Sequence, residues 1–172
     1  MIKQYPRTAI AILTLSAAGF AGIVAREGYT DKAVIPIPGD RPTYGHGSTF
    51  KEDGTPVKMG DTITPPKAVR LAISHIAKDE TALKKCFGYD TLMYQYEWDA
   101  YNRLGHNVGA HAVCKSSIVP KVQAGEYRAA CDTILDFYNA SKKDCRVRSN
   151  GCYGVWLDRL ATHKICIGEG GY

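Results

Sequence analysis

One carboxylic acid stands directly after an uncharged stretch, where it is well suited to donate a proton. Glu27 is the first acidic residue of the chain, and it follows an uncharged run of 18 residues, Thr8 to Ala25, and Arg26. An apolar environment disfavours the charged form of a carboxylic acid and so keeps it protonated near neutral pH. We therefore take Glu27 as a candidate general acid.

A glycine-rich block with polar side chains follows, and its Thr43 lies sixteen residues after Glu27. The segment GDRPTYGHG spans residues 39–47 and contains Asp40, Thr43 and His46. Cleaving a glycosidic bond requires a proton donor and a second group that handles either water or the oxocarbenium charge. The pattern is compatible with this chemistry. Taken alone, it is better explained by a surface charge at a helix end followed by a tight turn.

The composition is that of a globular protein with a mild basic excess. The chain has 172 residues, of which 45% are apolar, and its net charge is +5. This length favours one domain with a proper core. A positive charge suits an anionic partner such as a cell wall, a nucleic acid or a membrane surface, and it selects none of them. The sequence lacks long Lys/Arg blocks and the aromatic pattern of an RNA-binding sheet.

The N-terminal run has the features of an export signal. Lys3 and Arg7 precede Thr8–Ala25, and a positive flank before an apolar run indicates an N-terminus that stays in the cytoplasm. As a helix, 18 residues would span roughly 27 Å, about the thickness of a bilayer core. Ala, Gly, Thr and Ser make up most of the run, so its insertion is only weakly favourable.

Three interpretations of this run remain open: a cleaved signal peptide, a permanent anchor, and a marginal anchor that can leave the membrane. We favour the releasable anchor, because cleavage near Ala25 would remove most of the helix that carries Glu27. The predicted organisation is therefore an anchor helix over residues 1–25 and a catalytic domain over residues 26–172.

The remaining chain predicts an α+β fold, with a small antiparallel β lobe followed by a larger helical lobe. Residues 29–62 are rich in Pro and Gly, which favours turns and short strands, with Asp53-Gly54 as a turn. Thr64 followed by Pro65 is typical of a helix start. Further helices are predicted over 91–105, ending near Gly105, and over 127–139 and 155–166.

The motifs resemble a known family. Glu27-Gly28-Tyr29 and the block GDRPTYGHGST at 39–49 are similar to the active-site signature of phage lysozymes of glycoside hydrolase family 24. Asn107-Val108-Gly109 and the segment from Trp156 to Arg159 resemble later, looser segments of that family. The similarity covers roughly residues 26–167, and it implies a lysozyme-like fold without cofactor or metal.

The resemblance implies specific roles. Glu27 would be the general acid and Thr43 would position the attacking water, while His46 and Asn107 are assigned to substrate binding. The family's second carboxylate lies nine residues after Glu and six before Thr, where this chain has Pro36 and Ile37. We predict Asp40 as the water-activating acid, with Asp31 as the second candidate. If neither serves, the reaction would shift toward lytic transglycosylation. The family's His after the glycine turn is replaced by Ser48.

A weak helix joined directly to the catalytic Glu resembles the signal-anchor-release endolysins of phages. This implies an N-acetylmuramidase that cleaves the β-1,4 bond between N-acetylmuramic acid and N-acetylglucosamine in peptidoglycan. It would lyse the host at phage release, and it would be inactive while tethered in the host inner membrane and active in the periplasm. We expect a monomer that does not bind nucleic acid.

Six cysteines lie in the C-terminal half, at positions 86, 114, 131, 145, 152 and 166. Six cysteines allow many complete pairings, so the sequence alone does not fix the connectivity. In the periplasm they would be oxidised. The resemblance to endolysins favours Cys131–Cys166. Proximity in sequence then pairs Cys145 with Cys152, which leaves Cys86–Cys114.

Two other classes of protein compete with this interpretation. A zinc-dependent peptidoglycan amidase would use some of the five histidines, but the chain contains no H-E-x-x-H motif and no C-x-x-C pair. A non-catalytic, membrane-tethered wall-binding protein would explain the charge, the apolar run and the cysteines. It would leave the block at 39–47 unexplained.

Overall fold

The computed structural model describes residues 6–36 and 39–171, and within them it shows the predicted α+β fold. The helices are α1 (Ala17–Glu27), α2 (Pro65–Phe87), α3 (Gln95–Val108), α4 (Ala110–Lys115), α5 (Ile118–Gln123), α6 (Tyr127–Asp132) and α7 (Tyr153–Cys166). The strands are β1 (Thr8–Ala9), β2 (Thr30–Val34), β3 (Thr43–Gly45), β4 (Leu92–Met93), β5 (Asn139–Ala140) and β6 (Lys143–Asp144).

The chain divides into two compact units. One unit is Phe20–Lys78, and the other combines the chain up to Gly19 with the chain from Asp79 onward. Each unit has a hydrophobic core of its own. The boundary predicted at residue 25 lies between an anchor helix and a catalytic domain. The division into two units does not test it, and it stays a prediction.

The Phe20–Lys78 unit is built on an antiparallel ribbon. Strand β2 pairs with β3, with Thr30 opposite Gly45 and Val34 opposite Thr43, and the register shifts between the two pairs. The predicted turn at Asp53-Gly54 is confirmed: Gly54 has φ +81°, and the Lys51 N–H donates to the Thr55 carbonyl. The core of this unit consists of Ala33, Tyr44, Val57, Ile63, Ala68 and Leu71.

The other unit incorporates the N-terminal segment. Strand β1 pairs antiparallel with β4, and Thr8 lies opposite Met93. Ile10 is fully buried in the same core cluster as Phe87 and Trp98. An apolar residue of the predicted anchor run therefore fills part of a protein core.

The N-terminal run is not one continuous helix here. Helix α1 begins at Ala17, and the chain before it includes the short strand β1. Within the described residues, no helix combines the length and the apolar character that crossing a membrane requires. Lys3, the first predicted basic flank, lies outside the described residues.

Two predicted helix ends were wrong. Helix α3 continues past Gly105 to Val108, because Gly105 packs inside the unit: a Cβ there would lie 3.1 Å from a Leu83 methyl carbon. The residue that ends α3 is Gly109, whose φ of +87° favours glycine. The helix predicted over 127–139 ends at Asp132 and continues only as a 3-10 turn to Asp136, because the chain then pairs as β5 with β6.

The start of α2 at Pro65 and all three disulfides agree with the predictions. The bonds are Cys86–Cys114, Cys131–Cys166 and Cys145–Cys152. All six cysteines belong to the unit that includes Asp79 onward. The Phe20–Lys78 unit, which carries Glu27 and Thr43, therefore folds without a covalent cross-link.

Candidate active site

Glu27 is the last residue of α1, and its side chain is exposed, so it does not lie in the apolar environment that the preceding run of the sequence suggested. The helix ends there because Gly28 adopts the left-handed region with φ +68°, which an L side chain rarely tolerates. The carboxylate is thereby presented at a helix end instead of along its length.

A tight glycine turn approaches Glu27. Two backbone hydrogen bonds between Tyr44 and Ser48, of 3.0 and 3.1 Å, close a loop that contains Gly45, His46 and Gly47. A Cβ on Gly47 would lie only 3.3 Å from Oε2 of Glu27. Because glycine has no Cβ, the loop backbone can come this close to the carboxylate.

His46 ties the glycine loop to the residue after Glu27. Its Nδ1 is hydrogen-bonded to the Gly28 carbonyl, and its ring centroid lies 5.7 Å from that of Tyr29. The Tyr29 hydroxyl in turn donates to the Ile63 carbonyl at 2.8 Å. The structure thus brings together His46, which lies in the glycine loop, and Glu27, which lies at the end of α1.

Thr43 lies in β3, two residues before this loop, and is half-buried. It pairs with Val34 across the ribbon. Glu27, Thr43 and His46 therefore share one short structural unit formed by the end of α1 and the β2–β3 ribbon.

The position of the second carboxylate differs from the family pattern. Asp40 is exposed, and its Oδ1 accepts the Arg41 backbone N–H at 2.8 Å. Asp31 is exposed within β2, and its backbone carbonyl accepts the Ile63 N–H at 2.8 Å. The assignment of either acid to water activation stays a prediction. Ile37 lies outside the described residues.

Ser48 occupies the position where the family has histidine. It is only 6% exposed, and its hydroxyl donates to the Phe50 carbonyl at 3.0 Å. Together with the backbone pair to Tyr44, this contact makes Ser48 part of the scaffold of the glycine loop.

Asn107 belongs to the other unit, near the end of α3. Its Oδ1 accepts a hydrogen bond from the guanidinium of Arg159, which is 2% exposed and also donates to the Phe137 carbonyl and to Asp158. The two looser family segments are therefore joined by a hydrogen bond from the buried Arg159 to the exposed Asn107. The sequence did not indicate this contact, because the residues lie 52 positions apart.

Charged groups of the Phe20–Lys78 unit form local pairs. Hydrogen bonding from the Lys58 N–H, followed by the Lys51 ammonium at 2.9 Å, lowers the pKa of Asp61. Burial raises the pKa of Tyr44. A cavity of about 480 Å³ in this unit is lined by Lys51, Arg70, Lys78 and neighbouring residues, and none of the predicted catalytic residues contributes to it.

The described residues contain no group of three His, Cys, Asp or Glu side chains placed to hold a metal ion. The site can still provide a carboxylic acid, a hydroxyl and an imidazole around one turn. That set is suited to proton transfer and water positioning at a glycosidic bond.

The family model for phage lysozyme matches residues 24–150. The chain is also 30% identical over 131 residues to the endolysin of Salmonella phage P22, covering 76% of this chain and 88% of that protein. The chain therefore belongs to the phage lysozyme family. It is a glycoside hydrolase of the muramidase type that acts on bacterial peptidoglycan.

Two further similarities agree with this result. The solved structure of an endolysin from Escherichia coli O157:H7 phage FAHEc1 superposes with a TM-score of 0.78 at 26% identity, over 94% of this chain and 98% of that one. A SAR-endolysin of Enterobacteria phage H19B is 37% identical over 49 residues, which is 28% of each protein. The two competing classes, a zinc amidase and a non-catalytic wall-binding protein, are thus excluded for this chain.

Proposed function

We propose that this chain is a phage endolysin that hydrolyses the β-1,4 bond between N-acetylmuramic acid and N-acetylglucosamine, and that it lyses the host at phage release. The observation that carries the proposal is the close approach of the Gly47 backbone to Glu27, where an added Cβ would lie 3.3 Å from Oε2. It puts the only acid of the α1 end against the turn that follows Thr43. A monomer suffices for this chemistry, since each of these residues comes from one chain.

In the proposed reaction, Glu27 donates its proton to the glycosidic oxygen of the leaving sugar. The Thr43 hydroxyl holds the water that attacks the anomeric carbon. Asp40, or Asp31 in its place, is the acid expected to assist that water. His46 and Asn107 are proposed to contact the glycan.

Replacing Glu27 by Gln tests the assignment, because the amide keeps the shape of the side chain and has no acidic proton to transfer. We expect the release of soluble fragments from purified peptidoglycan to fall about a hundredfold or more, since general acid catalysis is worth about 10² to 10⁴. Glu169→Gln, at an exposed position near the C-terminus, serves as the control and is expected to keep full activity. An active Glu27→Gln protein contradicts the assignment.

We also propose that the enzyme is inactive while its N-terminal segment is inserted in the host inner membrane, and active in the periplasm after release. The support is that folding and insertion use the same residues. Ile10 fills the core and β1 pairs with β4 in the folded chain, so a bilayer-inserted segment would leave both places empty.

Two buried carboxylates of the folded unit also accept hydrogen bonds from polar groups of this segment. Glu97, which is 3% exposed, accepts two hydrogen bonds from the Arg7 guanidinium at 2.8 and 3.1 Å. Asp99, at 1% exposure, accepts the Ser16 N–H and hydroxyl. Burying carboxylates is costly unless they are paired. We infer that release supplies these partners and so favours the folded, active state.

The intact mass of the protein in membrane and soluble fractions tests the release. Before the membrane potential is collapsed we expect the full chain in the membrane fraction, and afterwards the full chain beginning at Met1 in the soluble fraction. A soluble species that begins near Arg26 would indicate cleavage and contradict release.

A further inference from the structure

We propose that His46 is the general base that deprotonates the attacking water, in place of the carboxylate that the family pattern supplies. This inference rests on the proposed muramidase reaction at Glu27. It assigns to His46 a role in the chemical step, beyond contact with the glycan.

The need for a base follows from the sequence. The two positions that match the family's second carboxylate hold Pro36 and Ile37, which have no titratable group. Asp40 is exposed and already accepts the Arg41 N–H. The His46 imidazole, held next to the residue that follows Glu27, is therefore an alternative base to Asp40 and Asp31 within the described part of the Phe20–Lys78 unit.

The hydrogen bond to Gly28 determines which ring nitrogen of His46 is available. A carbonyl oxygen only accepts hydrogen bonds, so Nδ1 must carry the proton in this contact. In the neutral ring, Nε2 then has a lone pair and no proton. A histidine whose Nδ1–H is held by a backbone carbonyl is set up to accept a proton at Nε2.

The geometry also places this base beside the acid. Gly28, which holds the His46 ring, directly follows Glu27, and Gly47, which directly follows His46, lies against the Glu27 carboxylate. The two hydrogen bonds between Tyr44 and Ser48 fix the loop in between. The Glu27 carboxylate thus lies next to the residue that follows His46, and the His46 imidazole is bonded to the residue that follows Glu27.

The proposed step balances as a single displacement. The water oxygen bonds to the anomeric carbon while one of its protons moves to Nε2 of His46. The bond between the anomeric carbon and the glycosidic oxygen breaks, and that oxygen takes the proton of Glu27. The products are two saccharide ends, a Glu27 carboxylate and a His46 imidazolium, and proton exchange with solvent restores the starting state.

The groups that face His46 define the expected pH dependence. The described contacts place the Tyr29 ring, whose hydroxyl donates to the Ile63 carbonyl, beside His46, and the Glu27 carboxyl near the next residue, Gly47. The reaction requires a neutral His46 and a protonated Glu27. Activity should therefore decline at low pH as the imidazole becomes charged, and at high pH as the carboxylic acid loses its proton.

His46→Asn separates a base from a structural residue. The Asn amide can donate to the Gly28 carbonyl as Nδ1 does, but it has no group in place of Nε2. We expect kcat on a soluble glycan substrate to fall about a hundredfold or more with little change in KM, and the decline at low pH to disappear. His111→Asn, an exposed histidine on α4, is the matched control and is expected to keep full activity.

Chemical rescue provides a second measurement. His46→Ala should regain activity when imidazole is added to the assay, and circular dichroism should show that both variants fold. The inference is overturned if His46→Asn stays within threefold of the parent, or if it loses activity while keeping the low-pH decline and His46→Ala is not rescued. Loss of activity in Asp40→Asn beside an active His46→Asn assigns the base to Asp40. An active Glu27→Gln protein overturns the muramidase proposal itself.

Discussion

At the residue scale, the close approach of the loop backbone to Glu27 depends on Gly47. Its φ of +77° is one that L side chains rarely adopt, and a Cβ there would lie 3.3 Å from Oε2, so the carboxylate would have to shift by a few tenths of an ångström. We predict that Gly47→Ala lowers the activity on peptidoglycan at least tenfold, because the methyl group displaces the carboxylate. It should also lower the free energy of unfolding by about 1–2 kcal/mol through backbone strain.

Gly54→Ala separates these two effects. Gly54 has a similar φ of +81°, but no atom lies within 4 Å of the position of its Cβ. We expect this variant to lose comparable stability in urea unfolding and to keep the parental activity. Equal activity losses in the two variants would show that strain alone, and not the contact with Glu27, is responsible.

Single residues also show how far the sequence predicts this site. Glu27 and Thr43 were predicted from a motif that resembles the family signature, and the structure places both of them in the end of α1 and the β2–β3 ribbon. The contact between His46 and the Gly28 carbonyl could not be predicted, because a backbone acceptor leaves no signal in the sequence and the residues are 18 positions apart. Arg159 presents the same difficulty, since its burial depends on partners from distant segments.

At the element scale, the N-terminal segment is held by one arginine between aromatic rings. The Arg7 guanidinium carbon lies 3.5 Å from the Tyr127 ring centroid and 4.2 Å from that of Tyr94, in addition to its pair with Glu97. We predict that Arg7→Gln lowers the free energy of unfolding of the released protein by about 2–3 kcal/mol, because it leaves a buried carboxylate without its cation. Urea denaturation followed by tryptophan fluorescence measures this.

Arg128→Gln is the comparison for that experiment. Arg128 pairs with Asp132 at 3.6 Å on the surface, and both side chains are more than half exposed. Exposed ion pairs contribute about 0–1 kcal/mol. If the two arginine variants lose the same small amount, the contact between Arg7 and Glu97 does not hold the segment.

Elements were predicted best where local signals agree with the fold. The start of α2 at Pro65 follows from a cap and a proline, which act within one turn. The end of α3 and the change to β5 after Asp136 depend on packing against Leu83 and pairing with β6. Such tertiary contacts override local helical periodicity, and this is why the predicted ends there were wrong.

At the scale of the whole molecule, covalent cross-links stabilise only one of the two units. The pair Cys131–Cys166 closes a loop with a separation of 35 residues, whereas Cys145–Cys152 closes one of 7. We predict that replacing Cys131 and Cys166 by Ala costs about 3–4 kcal/mol of unfolding free energy, and that replacing Cys145 and Cys152 costs about 2–3 kcal/mol. Urea unfolding of both double variants measures the difference. The reverse order would exclude loop-closure entropy as the main contribution.

If release from the membrane controls activity, the N-terminal segment must be compatible both with the bilayer and with the folded enzyme. Ala11, Ala18 and Ala21 are exposed in the folded state, so larger apolar side chains there do not disturb a core. In a bilayer each leucine contributes about −0.3 to −0.6 kcal/mol to insertion. We predict that replacing all three by Leu retains the protein in the membrane fraction and delays lysis, while the purified, refolded enzyme keeps its activity on peptidoglycan.

The triple replacement by Ser at the same positions reverses the expected effect. It weakens insertion and leaves the folded contacts of Ile10 and Arg7 in place, so we expect early release and early lysis. Timing of lysis together with cell fractionation measures both variants. Because the three positions are exposed in the folded enzyme, a shift in opposite directions can come only from the membrane state. If the Leu variant becomes soluble as early as the Ser variant, the hydrophobicity of this segment does not control activation.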